Sequence, residues 1–388
     1  MSALTAPRAP MNPPAASPSA APENILVRGV NWLGDAVMSV PALQRLREAK
    51  PDARLTMLAP EKLAGLWEGQ PFLDELLLFS PSDSLWRTAR RLRAKKFSTA
   101  LAFPNSLRSA LELWLAGIPR RAGLARSGRN LFLTIRVPPR PGAVPMRKRS
   151  AAQVRQLAAR GDAPPAIPPE AHHIHDYLHL VSVLGASPAA LPPRIVIRPE
   201  EAAAVAARLG MAAWPQAGPW FGLSPGAEYG PSKRWPAERF IEAALDLQAR
   251  TRCRWVIFGG DGDCELAADI TVALQQSPAG PASVLNLAGR TSLRELAAAL
   301  KTCRLLLAND TGPAHLAAAV GTPVVALFGS TAPEMTRPPI STRTQILRAS
   351  DVPCSPCFRR DCPIDFRCMT RISPDAAVAA ALQVLQGQ

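Results

Sequence analysis

The sequence predicts an α/β protein built from two Rossmann-like domains that face each other across a cleft. Apolar strand segments alternate with helical segments along both halves of the chain, which is typical of parallel sheets wrapped by helices. The most apolar strands are continuous runs rather than alternating patterns, as expected for strands buried on both faces. A chain of 388 residues is long enough to fold as two domains with separate cores.

The first domain is predicted to open with a strand at 24–28, followed by a glycine-containing loop and a helix ending near residue 50. The predicted strands and helices then alternate: strands at 54–58, 76–79 and 99–103, and helices at 61–68, 84–95 and 106–116. Ligands of such sheets collect at the carboxyl ends of the strands. Asp35, Asn105 and Ser106 all follow strands, so we expect them at that edge.

The sequence of the first loop bears on its chemistry in two ways. Its glycines, Gly29 and Gly34, do not form the Gly-x-Gly-x-x-Gly fingerprint, so a nicotinamide cofactor is not expected. Asp35 has two interpretations: it caps the following helix, or it presents a carboxylate to a ligand in the cleft.

The second domain is predicted to contain strands at 220–223, 254–258, 284–287, 305–307 and 323–328. A turn at 224–227, of a size that suits phosphate, precedes Lys233. The stretch 305–329, LLLANDTGPAHLAAAVGTPVVALFG, reads as strand, tight turn, short helix and strand, with Pro313 in the first helical turn. Free N–H groups at that helix start suit a phosphate or sugar hydroxyls, and Asp310 and His315 bracket the turn. The alternative is an ordinary capped helix with a hydrogen-bonded histidine.

The predicted domain boundaries follow from composition. Residues 1–23 are rich in Pro and Ala and are expected to form a disordered tail, with Met11 as a second possible start. Residues 24–190 form the first domain with a mobile insertion at 140–170, residues 191–371 form the second, and 372–388 form a C-terminal helix. No apolar run reaches the roughly 18 residues of a membrane span, and the tail lacks the apolar centre of a secretory signal. With seven cysteines expected to be reduced, we predict a cytoplasmic protein.

The positive charge is concentrated in one region. Residues 85–150 contain 16 Lys and Arg but only one acid, Glu112, whereas the whole chain has a net charge of +15. Such a surplus favours a polyanion or an anionic membrane surface as partner, with the helix around 87–96 as a candidate contact. A nucleic-acid-binding protein is the alternative from another class, but the basic cluster lacks interleaved aromatic residues and no recognised binding motif is present.

Metal binding is suggested at three places and is not expected to be required at any. Cysteines at 354, 357, 362 and 368 form a C-x2-C-x4-C-x5-C pattern that can hold a structural zinc, although its spacing is irregular. The pair Asp261 and Asp263 lies in a glycine-rich turn, where acids are common. The histidines at 172, 173, 175 and 179 lack the spacing and carboxylate of a zinc enzyme motif.

The segment NDTGPAHLAAAVGTPVVALFG resembles the signature of the lipopolysaccharide heptosyltransferases, inverting glycosyltransferases with a two-domain GT-B fold. Four further segments resemble the same family in the right order: NILVRGVNWLGDAVMSVPAL, LAFPNSLRSAL with AGIPRRAG, SPGAEYGPSKRWP and NLAGRTSL. Together they span residues 24–338. The loop before Lys233 has the long form of the branch that adds the second heptose. The tail and the region 140–170 depart from the family pattern.

The resemblance implies transfer of L-glycero-D-manno-heptose from ADP-heptose to the first heptose of the lipopolysaccharide inner core, with no cofactor. The implied catalytic residues are the general base Asp35 and the phosphate-binding Lys233. The implied donor-binding residues are Ser224, Gly226, Ala227, Lys233, Asp261, Thr291, Asp310, Thr311, Gly312 and His315. The candidates for acceptor binding are Asn105, Ser106, Arg120 and Arg121, with Arg126 and Arg129 nearby.

The implied partners are ADP-heptose, a lipid A–Kdo–heptose acceptor and the anionic inner face of the inner membrane, on which the protein would be peripheral. Three alternatives on the same scaffold stay open: a sister enzyme that adds the first or third heptose, a nucleotide-sugar epimerase, and a sugar-nucleotide-binding module without activity. The retained Asp35 and Lys233 argue against the last of these.

Overall fold

The structure, a computed structural model, describes residues 22–161, 166–211, 218–338 and 343–386, so the predicted tail lies almost wholly outside the described residues. Its strands, in chain order, are β1 (Asn24–Arg28), β2 (Arg54–Pro60), β3 (Glu75–Phe79), β4 (Thr99–Ala102), β5 (Arg120–Leu124), β6 (Ile135–Val137), β7 (Trp220–Ser224), β8 (Arg254–Ile257), β9 (Val284–Asn286), β10 (Leu305–Asn309), β11 (Val324–Phe328) and β12 (Thr344–Arg348).

The helices connect and cover these strands. In chain order they are α1 (Leu33–Ala49), α2 (Ala64–Trp67), α3 (Leu85–Ala94), α4 (Leu107–Leu115), α5 (Ala151–Arg160), α6 (Ile174–Ser182), α7 (Pro199–Arg208), α8 (Ala237–Thr251), α9 (Cys264–Gln275), α10 (Leu293–Thr302), α11 (Gly312–Val320), α12 (Pro333–Thr336), α13 (Arg367–Thr370) and α14 (Pro374–Gln386).

The strands form two six-stranded parallel sheets, and this confirms the predicted fold class. The order is β3-β2-β1-β4-β5-β6 in the first lobe and β12-β11-β10-β7-β8-β9 in the second. The central strands carry the most buried side chains: all five residues of β10 and all five of β11 are buried. Because the sheets are parallel, their connecting loops place the start of every following helix at one edge.

Three strands escaped the sequence analysis for local reasons. β5 begins with two arginines and includes a glycine, and β6 is only three residues long. β12 is an edge strand in which every residue is half-buried. Each lacks the continuous apolar run by which buried parallel strands are recognised.

The region 140–170, expected to be a mobile insertion, instead contains the helix α5. Ser150 and Gln153 form a capping box at its start, which satisfies two backbone N–H groups reciprocally. Val154 is buried, and it packs into the hydrophobic core of the second lobe. In the sequence, the few large apolar residues of this helix lie among Ala and Arg residues, so its apolar face was not recognised. Residues 162–165 lie outside the described part of the chain.

The chain returns to the first lobe after α5, because α6 packs against α1. It then reaches the second lobe, where α7 packs against α10, and the final helix α14 packs against α8. The two lobes meet where α1 packs on α11. Within the described residues, none of the helices has the length and apolar character required to cross a bilayer.

Candidate active site

Two strand-to-helix turns, one from each lobe, meet at the centre of the molecule. A Cβ placed on Gly34 would lie 3.2 Å from the His315 ring, and one placed on Gly312 would lie 2.8 Å from the Cβ of Leu33. The absence of side chains at these two glycines therefore permits the close approach of the lobes. The turn that carries Asp35 and the turn at 310–315 therefore lie against each other.

Asp35 lies in the first turn of α1, at the cleft edge of the first sheet. The N-cap residue of α1 is Trp32, and it makes no side-chain cap hydrogen bond. The pKa of Asp35 is raised, first by burial and further by the neighbouring Asp310, while His173 and Lys233 oppose the rise. These two residues belong to different elements, since His173 is the N-cap of α6 and Lys233 lies in the second lobe. A carboxylate with a raised pKa is a stronger base than an exposed one.

Asp310 and Lys233 form an ion pair in the second lobe. The Lys233 Nζ donates to Asp310 Oδ2 over 2.6 Å, and the Thr331 hydroxyl donates to the same oxygen over 2.5 Å. Asp310 is only 3% exposed, so the pair lies in a region where charges are weakly screened. The lysine is therefore held beside the start of α11 by a carboxylate that follows β10.

His315 is buried on α11 and is neutral at physiological pH. Burial lowers its pKa to about 4; Asp310 opposes this change and Lys233 adds to it. Its Nε2 lies 3.9 Å from Asp310 Oδ1, and its Nδ1 has no hydrogen-bond partner within the described residues. A neutral imidazole with a free nitrogen can hydrogen-bond a sugar hydroxyl.

The loop after β7 is held against β10 by Asn309, a residue to which the sequence analysis gave no role. The Asn309 side-chain amide donates to the carbonyl of Pro225 over 2.7 Å and accepts from the Trp235 N–H over 3.0 Å. Ser224 and Ala227 are buried in this loop, and a Cβ on Gly226 would lie 2.2 Å from Asp263 Cγ. The feature of the sequence that could have predicted a role for Asn309 is its position as a polar residue at the end of an otherwise apolar strand.

Asp261 and Thr291 lie farther along the same edge of the second sheet. Asp261 is exposed after β8, and a Cβ on Gly289, after β9, would lie 3.1 Å from its Oδ1. Thr291 directly precedes the N-cap of α10. Asp263, by contrast, is used locally, because it accepts from the N–H of Gly260 and pairs with Arg234 at 3.3 Å.

The four candidate acceptor residues separate into two pairs. Asn105 and Ser106 follow β4 at the cleft edge, where Ser106 caps α4 by accepting from the Ser109 N–H. Arg120 and Arg121 begin β5, so they lie at the opposite edge of a parallel sheet. Arg120 pairs there with Glu23 at 3.0 Å, and the Arg121 Nε donates to the carbonyl of Phe132. The structure does not bring these two arginines to the cleft.

Three further residues lie on this side of the first lobe: Tyr177 was not named from the sequence, whereas His173 was one of the four histidines and Arg129 a candidate near the acceptor residues. His173 and Tyr177 are four residues apart at the start of α6. His173 opposes the rise in the pKa of Asp35, and burial together with the charge of Asp35 raises the pKa of Tyr177. The ring of Tyr177 packs 5.3 Å from that of Phe103, which follows β4. Arg129 is buried and donates to the carbonyl of Pro104 over 2.8 Å, beside Asn105. Helical spacing of His173 and Tyr177 was the signal that could have identified the first two.

The four cysteines of the C-terminal segment are free thiols in the structure, and all but Cys362 are buried. Burial raises the pKa of Cys368 to about 12, and the neighbouring thiols add to the rise. In the described part of the chain, no group of three or more His, Cys, Asp or Glu side chains is arranged to hold a metal ion.

Residues 85–366 match glycosyltransferase family 9 (heptosyltransferase). The chain belongs to this family. Lipopolysaccharide heptosyltransferase 2 of Salmonella typhimurium is 29% identical, with 84% of this chain and 87% of that protein aligned. Lipooligosaccharide heptosyltransferase 2 of Haemophilus influenzae is 28% identical over 84% of this chain and 88% of that protein.

The fold agrees with the family membership. The solved structure of Escherichia coli ADP-heptose LPS heptosyltransferase II superposes with a TM-score of 0.73 and 25% identity, covering 94% of this chain and 99% of that one. The chain is therefore a glycosyltransferase with the two-domain GT-B architecture, and the resemblance noted in the sequence is confirmed.

Proposed function

We propose that this glycosyltransferase transfers L-glycero-D-manno-heptose from ADP-heptose to the first heptose of the lipopolysaccharide inner core, with inversion at the anomeric carbon. The single observation that carries the proposal is that Asp35 of one lobe lies close enough to the Lys233–Asp310 pair of the other for their charges to act on it, where the turns of the two lobes meet. The aligned relatives named heptosyltransferase 2 support the choice of acceptor, and the solved structure of ADP-heptose LPS heptosyltransferase II supports the choice of donor.

In this mechanism Asp35 acts as general base. Its carboxylate takes the proton of the acceptor hydroxyl while that oxygen forms a bond to the anomeric carbon of the heptose. The bond between that carbon and the diphosphate breaks with its electrons on the departing ADP. A base on the wall opposite the donor suits attack from the face away from the leaving group, which produces inversion.

The second lobe neutralises the charge that leaves with ADP. Lys233 lies beside the start of α11, where backbone N–H groups and the helix dipole favour an anion. Ser224, Gly226 and Ala227 form the loop that Asn309 fixes against β10 and offer further backbone donors. In the proposed complex, Asp310 and neutral His315 bind the heptose hydroxyls, and Asp261 and Thr291 bind the nucleoside.

The proposal is tested with purified protein, ADP-heptose and two truncated acceptors, one ending in Kdo and one carrying the first heptose. We expect turnover only on the acceptor with the first heptose, and we expect it to persist in EDTA because side chains and backbone N–H groups carry the leaving charge. Transfer to the acceptor without heptose would instead identify the sister enzyme that adds the first heptose. Absence of transfer to either, with ADP released by neither, would reject the function.

The acceptor is lipid-anchored, so we further propose that the protein works as a peripheral protein on the cytoplasmic leaflet. Support comes from the surface formed by α3, α4 and the turn at 130–132, here called the α3–α4 face. Four large apolar side chains are exposed on it, at Trp86, Leu107, Trp114 and Leu131, with Trp86 70% and Leu131 79% exposed. The arginines of α3 surround Trp86. Tryptophan flanked by cations is typical of the membrane–water interface.

Replacing both Trp86 and Leu131 with Ala is expected to weaken binding to phosphatidylglycerol-containing vesicles by about ten-fold or more, since each buried apolar side chain contributes roughly 1.5–3 kcal/mol. Co-sedimentation measures the change. The matched control is Val272→Ala, which removes an apolar side chain that is 55% exposed on the second lobe. Equal binding of wild type and the double variant, or equal binding to neutral vesicles in high salt, would contradict the membrane contact.

A further inference from the structure

The ion pair between Lys233 and Asp310 leaves the diphosphate site short of positive charge. Lys233 Nζ lies 2.6 Å from a carboxylate that is almost fully buried, so the pair is electrically neutral before any ligand binds. A nucleotide diphosphate brings negative charge at both phosphates, and a departing ADP brings more. If the proposed function is right, a further cation near Lys233 adds to the charge stabilisation that the backbone N–H groups supply.

The aromatic ring of Tyr229 links Lys233 to such a cation. The Lys233 Nζ lies 5.0 Å from the centre of this ring, and the guanidinium carbon of Arg360 lies 5.5 Å from it. Both distances are in the range of cation–π contacts. The Tyr229 hydroxyl donates to the carbonyl of Phe358 over 2.8 Å, which fixes the ring against the segment that carries Arg360.

The backbone of Arg360 is fixed to the loop that carries Lys233. Its carbonyl accepts from the Ser232 N–H over 3.0 Å, one residue before the lysine. Gly230 has φ +147°, and a Cβ there would lie 2.9 Å from the Arg360 carbonyl oxygen, so only glycine fits this contact without strain. The hydroxyl of Ser232 also lies 3.0 Å from that of Ser330, which follows β11. The position of Arg360 beside Lys233 is therefore built into two loops.

The charge of Arg360 is also not balanced by an acidic side chain in the described part of the chain. Its side chain is exposed and forms no ion pair with any acid in the described residues. The neighbouring Arg359 differs, because its guanidinium donates to the carbonyls of Asp361 and Arg149. Of this adjacent pair, Arg359 holds the segment together, and Arg360 has its donors free.

We propose that Arg360, held on Tyr229, binds the diphosphate of the nucleotide-sugar donor together with Lys233. This inference rests on the proposed function and extends it. Arg360 supplies the charge that Asp310 withdraws from Lys233, and its planar group of donors suits phosphate oxygens. The C-terminal segment of four cysteines thereby contributes a ligand-binding residue to the donor site.

The test measures the affinity of the purified protein for ADP and for adenosine by calorimetry. Arg360→Ala is expected to weaken ADP binding about ten- to hundred-fold, as for the loss of a charge-assisted hydrogen bond, and to leave adenosine binding unchanged. Arg360→Lys is expected to recover part of the loss, because it restores the charge without the fork of donors. Arg250→Ala is the matched control, because this arginine pairs with Asp246 within α8, and it is expected to bind ADP like the wild type.

Unchanged ADP affinity in Arg360→Ala would overturn the inference, and so would an equal loss for ADP and adenosine. A rise in the acceptor KM with normal ADP affinity would also overturn it and would assign Arg360 to a phosphate of the acceptor. Thermal melting of Arg360→Gln, which keeps most of the side-chain volume, separates these results from a folding defect. A wild-type protein that binds no ADP would instead reject the proposed function itself.

Discussion

Replacing Asp35 with Asn is expected to lower the rate of heptose transfer by about 10²–10⁴-fold, the usual contribution of a general base. ADP-heptose binding should stay nearly unchanged, because the carboxyl group acts on the acceptor hydroxyl. Rapid-quench kinetics with saturating acceptor measures the rate, and calorimetry measures donor affinity. Loss of donor affinity with little change in the rate of the chemical step would assign Asp35 a structural role instead.

The Asp35→Asn variant should also differ from the wild type in how its stability depends on pH. The pKa of Asp35 is raised in the folded protein, so the folded state binds this proton more tightly than the unfolded state. Ionised Asp35 therefore lowers the free energy of unfolding once the pH rises above the unfolded pKa, and Asp35→Asn should melt at a higher temperature than wild type at neutral pH. At a pH below both pKa values the difference should vanish.

The wild-type rate should fall as the pH decreases through the raised pKa of Asp35. The groups that face this carboxyl are His173 and Tyr177 on α6 and Lys233, Asp310 and His315 in the second lobe. His315 is already neutral, since its pKa is about 4, and does not add a second transition near pH 6. A pH–rate profile whose acidic limb persists in Asp35→Asn would assign the titration to another group.

Replacing Lys233 with Ala is expected to reduce kcat/KM by at least about 10²-fold, since one positioned charge at a leaving diphosphate supplies several kcal/mol. It should also destabilise the protein by about 3 kcal/mol, because Asp310 is left as a buried carboxylate whose one side-chain hydrogen bond in the described residues comes from the Thr331 hydroxyl. Steady-state kinetics and chemical denaturation measure the two effects.

The double variant Lys233→Ala/Asp310→Asn separates the two effects. It removes the uncompensated charge together with the lysine, so stability should recover to near the wild-type value. Activity should not recover, because the cation that faces the diphosphate is still missing. Recovery of activity together with stability would mean that Lys233 serves only to balance Asp310.

Those parts of the fold and of the candidate site that depend on local pattern could be predicted from the sequence. Continuous apolar runs predicted β10 and β11, and the turn between them predicted a helix start flanked by Asp310 and His315. Asp35 became a candidate because it follows a short apolar strand and two glycines, and its predicted role as general base came mostly from the family resemblance. These features are encoded within a few residues, so their spacing alone is informative.

Features set by distant contacts escaped the sequence analysis. Arg120 and Arg121 were assigned to the acceptor because they are basic, but a parallel strand places its first residues at the edge away from the cleft. Asn309, Tyr229 and Arg360 gain their roles only when separate loops meet. Sequence spacing carries no information about such contacts, since the partners are separated by more than 80 residues in two of these cases.

The route of the chain around α5 has a mechanical consequence. The backbone leaves the first lobe after β6, packs Val154 into the second, returns for α6 and then crosses again before β7. The backbone therefore passes between the lobes three times, whereas a simple two-domain protein has one connection. Several connections side by side allow two lobes to open about one axis but resist twisting. The lobe with Asp35 and the lobe with Lys233 should therefore separate and close again in the same alignment at every turnover.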